Sequence, residues 1–168
     1  MLTLINILPI LKKHFESLKK DAHTANIIVL FFVIPLIISY GFLHYNLLIS
    51  KGIVSSLISA LSILIGFIMN VLILLIRTEK EEKHIRNELI EHVCYNALYE
   101  LITGLLILML CILTAIIYPK ANYTTLWWLS FVIYFLTFNF LFTLFMVAKR
   151  LYVIFYLKIN TSNAGIRT

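Results

Sequence analysis

The segment Arg77-Thr-Glu-Lys-Glu-Glu-Lys-His-Ile-Arg-Asn-Glu-Leu-Ile-Glu-His92 decides the fold predicted for this chain, because it places a run of charges directly between two apolar stretches. The apolar stretch Ile53 to Ile76 precedes it, and the stretch Ala97 to Tyr118 follows with no glycine or proline between. Acids and bases four residues apart, with the acid first, favour a helix. We therefore predict a water-exposed helix over residues 77–96 that continues into the next apolar helix.

The composition on either side of this segment is that of a membrane protein. The chain has 168 residues, of which 61% are hydrophobic, and its mean hydropathy is +0.97. A soluble domain needs more polar surface than this sequence supplies. The net charge of +6 comes from basic residues that flank the apolar stretches, which is typical of a topology signal and not of a nucleic-acid site. Cys94 and Cys111 are interpreted as packing residues.

The hydropathy pattern predicts an all-α polytopic membrane protein. Each apolar stretch is long enough to cross a hydrocarbon core of roughly 30 Å. We expect Pro35 to kink the first helix and residues 50–52 to form a tight turn after it. The predicted units are an amphipathic helix over 1–24, a membrane domain over 25–158 and a flexible tail over 159–168, with spans at 27–49, 53–76, 97–118 and 126–148.

The N-terminal helix has one apolar face at helical spacing. That face consists of Leu4, Leu8, Leu11, Phe15, Leu18 and Ala22. A basic helix of this kind lies in the lipid headgroup plane or packs on the rest of the protein, and both alternatives stay open.

The basic residues are distributed unevenly between the two sides of the predicted bundle. Lys51 and Lys120 fall on one side, and all the other lysines and arginines fall on the opposite side. The positive-inside rule then places both termini and the charged helix in the cytoplasm. Tyr123, Trp127 and Trp128 are predicted to anchor the far membrane interface as an aromatic belt.

Polar residues at membrane depth are the candidate functional residues. Five of them share one face of the second span and are called the polar stripe: Ser55, Ser59, Ser62, Gly66 and Asn70. Such a face favours either helix packing inside the protomer or an oligomer contact with a polar lining. Glu100 of the third span and Asn139 and Thr143 of the fourth are predicted to lie toward the same side of the membrane as Asn70. We expect Asn70, Glu100 and Asn139 to lie close together in an assembly, because lipid offers them no hydrogen bond.

No catalytic constellation stands out, and we predict no enzyme activity, cofactor or metal. His84, Glu88 and His92 share one helix face, so metal binding is conceivable, but a solvated helix face is favoured. Arg86 and His92 also fit the loose Arg-x(4–6)-His pattern of HEPN ribonucleases. Those sites need a soluble helical bundle, for which this chain leaves little sequence.

The layout resembles a family of four-helix bacterial membrane proteins. Ile65-Gly-Phe-Ile-Met-Asn-Val-Leu-Ile-Leu-Leu75 and residues 88–105 carry the resemblance, together with the short first turn and the charged helix before span three. Members of that family are encoded beside type VI-B CRISPR loci, and similar proteins accompany reverse transcriptases, including retrons, in defence islands. The resemblance implies a bacterial inner-membrane effector or accessory protein of anti-phage defence.

Two alternative functions are therefore considered for this protein. The first is an effector that forms homo-oligomers and perturbs the bilayer when a cytosolic nucleic-acid-handling partner triggers it. The second is a scaffold that docks a cytosolic protein or nucleoprotein through the N-terminal arm and helix 77–96. A small transporter is less favoured, since four spans leave little room for an alternating-access site. The predicted docking surface consists of Arg77, Lys80, Glu81, Lys83, His84, Arg86 and Glu88.

Overall fold

A computed structural model describes residues 8–21, 24–79 and 85–165. Those residues form helices joined by two short connections. The helices are α1 (Leu8–Asp21), α2 (Thr24–Ile28), a π-helical turn (Val29–Val33), α3 (Ile34–His44), α4 (Lys51–Glu79), α5 (Ile85–Ile117), a 3₁₀ turn (Tyr118–Lys120) and α6 (Tyr123–Gly165). Of the predicted charged helix, residues 80–84 lie outside the described part, and residues 85–96 are continuous with the third span in α5.

Four stretches of helix are long and apolar enough to cross a membrane, and the predicted all-α, multi-pass fold is confirmed. They are Asn26–His44, Lys51–Ile76, Ile90–Lys120 and Tyr123–Tyr156. We call the end with the connections 45–50 and 118–122 the loop end. The opposite end, which carries Lys13, Lys149 and Arg150, is called the basic end.

The first span is interrupted where the sequence predicts a kink. Pro35 has no N–H to donate to the carbonyl of Phe31, four residues earlier. The helix widens there into the π turn, in which the N–H of Ile34 donates to Val29 O. The proline therefore leaves the Phe31 carbonyl available to a donor from another helix.

The first connection differs from the predicted turn at 50–52. The helix ends at His44, and Asn46 adopts a left-handed backbone with φ of 55°. The Ser50 hydroxyl accepts a 3.3 Å hydrogen bond from the N–H of Ile53 and so caps α4, which already contains residues 51 and 52. The N–H of Ile49 donates to Ser130 Oγ at 3.0 Å.

Helix α6 also passes the end predicted for the fourth span at residue 148. The whole helix has 43 residues and ends at Gly165, so most of the predicted flexible tail is helical. Residues 166–168 lie outside the described part. Leu151 and Ile154 explain the continuation, because they are buried in a cluster with residues of α4 and α5. Burial of those side chains stabilises the helix beyond the basic residues 149 and 150.

Helices α4, α5 and α6 enclose the main core. It includes Leu61 and Ile68 of α4, Ile107 of α5 and Phe140 of α6. A Cβ added at Gly104 would lie 3.0 Å from Phe140 Cε2, which shows how closely α5 approaches α6. Helix α3 packs on α6, and α1 packs on α5. Most of the predicted apolar face of the N-terminal helix lies outside the described side chains, so its place in the headgroup plane or against the protein stays a prediction, although α1 does contact α5.

Candidate functional site

The polar stripe lies on the outer surface of α4. All five of its residues are exposed. The Ser59 hydroxyl donates to Ser55 O at 3.1 Å, and the Ser62 hydroxyl donates to Ile58 O at 2.7 Å, so both bond to their own helix. A Cβ at Gly66 would meet nothing within 4 Å. The stripe is therefore not a packing face inside the protomer, and the oligomer contact or polar lining stays a prediction.

Asn139 lies inside the bundle and joins three of its helical segments. Its side-chain Oδ1 accepts a 3.1 Å hydrogen bond from the hydroxyl of Tyr99. Its Nδ2 donates at 2.8 Å to the carbonyl of Phe31, the carbonyl that Pro35 leaves without a helix donor. Thr143, one turn later and also buried, donates to Asn139 O at 3.0 Å. The amide of Asn139 thus compensates for the proline in the first span.

Helix α1 adds a histidine that the sequence analysis missed. His14 is 1% exposed, and its Nδ1 lies 2.8 Å from Asn96 Oδ1 on α5. Because that oxygen only accepts, the proton is on Nδ1. The imidazole also stacks on the ring of Tyr99 at a centroid distance of 3.9 Å. Burial lowers the pKa of His14 to about 4, and the charge of Arg150 also lowers it, whereas the hydrogen bond that His14 donates to Asn96 acts in the opposite direction.

A second contact holds α1 at its edge. Lys13 Nζ lies 2.6 Å from Glu91 Oε1 and 3.0 Å from the hydroxyl of Tyr95, and it stands 4.4 Å from the centroid of the same ring. The hydrogen bond to Glu91 raises the pKa of Lys13. The preceding residue, Lys12, is exposed and pairs only loosely with Glu16 of its own helix, at 3.9 Å.

Glu100 is a buried carboxyl group at this end of the bundle for which the described residues provide no hydrogen bond. It is fully buried, and neither carboxyl oxygen has a hydrogen-bond partner among the described residues. Asn96 lies one turn before it and Thr103 three residues after it on the same side of α5. Ionisable groups at membrane depth are costly to bury and are functional candidates for that reason. His14, Asn96, Tyr99, Glu100 and Asn139 are together called the buried cluster.

The structure separates the three residues that were expected to meet. Glu100 and Asn139 are buried at the basic end of the same protomer, whereas Asn70 is exposed on the outer face of α4. Within the protomer, Asn70 therefore belongs to a different site from the other two. The helix rotation responsible is set by the apolar neighbours Ile68, Val71 and Leu72, which are buried on the opposite side of α4.

The predicted docking surface falls largely outside the described part of the chain. Residues Lys80, Glu81, Lys83 and His84 lie there, together with the side chains of Arg77, Arg86 and Glu88, so the docking and metal hypotheses stay predictions. The aromatic anchors do lie together at the loop end. The rings of Trp127 and Trp128 meet edge to face at 5.0 Å, and Tyr123 and Trp128 are exposed.

Fold and sites together define an all-α polytopic membrane protein with an outward polar stripe and a buried cluster at its basic end. No family model matches the chain, and no curated protein or solved structure matches it.

Proposed function

We propose that the protein is an effector that assembles in the membrane through α4 and makes the bilayer permeable. The observation that carries the proposal is the exposure of the polar stripe. Asn70 lies six residues before Ile76, or about 9 Å deep by helical rise. An amide at that depth has no partner in lipid, and its exposure is best relieved by a second protomer or by water. Gly66 allows another helix backbone to approach there.

The proposed setting is the bacterial inner membrane, with the basic end in the cytoplasm. The charge asymmetry supports this orientation. The resemblance in layout to membrane proteins of defence islands supports a role in anti-phage defence, with release by a cytosolic nucleic-acid-handling partner. A reporter fused after Thr168 should be active only in the cytoplasm, and a cysteine in place of Lys120 should react with an impermeant reagent from outside. Periplasmic reporter activity would overturn the orientation.

The permeability proposal is tested by following membrane potential with a voltage-sensitive dye during induced expression. Asn70→Leu should abolish depolarisation while the protomer still inserts and folds. Met69→Leu is the matched control, since Met69 is an exposed apolar neighbour on the same turn of α4. It should leave depolarisation unchanged. Full depolarisation by Asn70→Leu would remove the stripe from the mechanism, and a strict monomer in reconstituted bilayers would remove assembly.

A scaffold function is the second candidate, and the length of α6 favours it. At about 1.5 Å per residue, the 43 residues of α6 extend well beyond a hydrocarbon core of roughly 30 Å. The projecting part at the basic end would offer a surface to a cytosolic protein or nucleoprotein. Co-purification with the product of a neighbouring gene, without any change in membrane potential, would favour the scaffold over the effector.

A further inference from the structure

Helix α1 covers the polar side of α5 at the basic end. It contributes one ion pair, between Lys13 and Glu91, at the rim of the contact. It contributes one buried ring, that of His14, at the centre. Both contacts are made by consecutive residues, so they form and break together when α1 moves. The first span follows directly after α1, which restricts α1 to this neighbourhood.

The groups beneath His14 are those that water would reach if α1 left. Asn96 is fully buried and lies in hydrogen-bond contact with the imidazole. Tyr99 is covered by the stacked ring and passes a hydrogen bond to Asn139. Glu100 lies one turn beyond Asn96 with no partner among the described residues. The basic end thus contains a set of polar groups that is closed by one short helix.

The contact between α1 and α5 is of a kind that allows α1 to dissociate. An apolar residue in place of His14 would leave Asn96 without that bond, whereas the neutral imidazole supplies a donor and a flat face. Among the described contacts of α1, the others at the rim are those of Lys13 with Glu91 and Tyr95. The ion pair with Glu91 is about half exposed, and exposed ion pairs contribute little to stability. A partner that competes for Lys13 or for the exposed surface of α1 would therefore shift the docked fraction.

We propose that α1 is an autoinhibitory plug that keeps the buried cluster closed to water until it is displaced. This inference rests on the proposed function, because displacement of α1 is what converts the protomer to its membrane-perturbing form. In the docked form, His14 and Asn96 close the entry from the basic end. In the undocked form, water reaches Glu100 and Asn139 and competes for the hydrogen bonds that join Asn139 to Tyr99 of α5 and to the Phe31 carbonyl of the first span.

The first test compares neighbouring residues of α1. His14→Ala removes the buried hydrogen bond to Asn96 and the ring contacts with Tyr99 and Phe31, and the ratio of docked to undocked α1 should fall on the order of tenfold. The variant should depolarise cells at lower expression than the natural protein does. Glu91→Gln weakens the rim contact without changing the buried cluster and should act in the same direction. Lys12→Ala, which removes only the loose contact with Glu16, should have no effect.

The second test locks α1 in place. In a background with Cys94→Ala and Cys111→Ala, the pair Lys13→Cys and Glu91→Cys is bridged with a short, reducible bifunctional thiol reagent. The bridge should suppress the depolarisation caused by His14→Ala, and a reductant should restore it. The pair Lys12→Cys and Glu16→Cys is the matched control, because its bridge lies within α1 and does not fix α1 to α5.

The bridging yield reports docking independently of membrane potential. A lower yield in the His14→Ala background, together with suppression by the bridge, supports the plug. Undiminished depolarisation by the bridged protein overturns the plug and leaves the effector function standing. If the yield falls and no form of the protein depolarises cells, the effector function is wrong, and the plug fails with it.

Discussion

The polar stripe and the buried cluster are alike in sequence and opposite in structure. Both consist of polar or small residues at helical spacing within apolar stretches. In the buried cluster, Asn139 bonds to two other helical segments. In the polar stripe, the hydroxyls of Ser59 and Ser62 bond to their own helix and Asn70 is exposed. Substitutions in the cluster should therefore change the stability of the protomer, whereas substitution of Asn70 in the stripe should change its assembly.

The largest difference is expected between Asn139→Leu and Asn70→Leu. The first change leaves the Phe31 carbonyl and the Tyr99 hydroxyl buried without this partner, at a cost of about 2 kcal/mol in the free energy of unfolding. The second should alter that free energy by less than about 0.5 kcal/mol, as is usual for surface positions. Reversible unfolding in mixed micelles measures both. Equal losses of unfolding free energy in the two variants would contradict the assignment of Asn139 to a buried site and Asn70 to an exposed one.

Acidification should release α1 while the four spans stay folded. The pKa of His14 is about 4 when docked and 6.5 ordinarily, so docking is strongest above pH 6.5 and weakens as the pH falls from 6.5 toward 4. The charged and titratable groups facing the ring are Tyr99 of α5 and Arg150 of α6, with the pair Lys13 and Glu91 beside them.

The docked fraction is measured across this pH range by the bridging yield between positions 13 and 91, divided at each pH by the yield of the control pair at positions 12 and 16, because the reactive thiolate also becomes scarcer as the pH falls. By pH 5, the ratio of docked to undocked α1 should have dropped on the order of tenfold. His14→Gln keeps an amide donor but does not titrate there, so most of the pH dependence should vanish in that variant. A pH profile unchanged by His14→Gln would show that another group controls docking.

Gly66 of α4 and Gly104 of α5 provide a smaller contrast in protomer stability. Gly104→Ala places a methyl group 3.0 Å from Phe140 Cε2 and 3.2 Å from Ile65 Cγ1, which should cost about 1 kcal/mol of protomer stability. Gly66→Ala meets open space and should leave the protomer as stable or slightly more stable. Unfolding in micelles separates the two. Comparable destabilisation by Gly66→Ala would mean that α4 packs differently from the structure described.

The smallest effects are expected within the polar stripe itself. Ser59→Ala and Ser62→Ala remove hydroxyls that bond only to backbone carbonyls one turn earlier, so each should change stability by less than about 0.5 kcal/mol. They should also leave oligomerisation in reconstituted bilayers close to normal. Asn70→Leu should weaken it more than either. If a serine variant dissociates the assembly as strongly as Asn70→Leu does, the contact between protomers lies nearer the loop end than proposed.

Much of the fold was predictable because hydropathy sums over a whole helix. Four spans follow from the apolar stretches, and the charged segment leads into the third span because nothing between them breaks a helix. The proline at position 35 also marked the irregular first span. The end of α3 at His44 and the continuation of α6 past Arg150 were not predictable this way. Ser130 of α6 bonds the connection after α3 at Ile49, and residues of α4 and α5 bury Leu151 and Ile154, so both features involve contacts between helices.

The sequence by itself determined that polar groups lie at membrane depth and that they need partners. The tertiary structure decided which partner each one has. His14 and Asn96 are 82 positions apart, and Phe31 and Asn139 are 108 apart, so their pairing depends on how α1, α5, α6 and the first span pack. Helical periodicity assigns residues to faces, but the rotation of each helix in the bundle is set by its neighbours. That rotation turned Glu100 and Asn139 inward and Asn70 outward, although all three are polar residues in similar apolar surroundings.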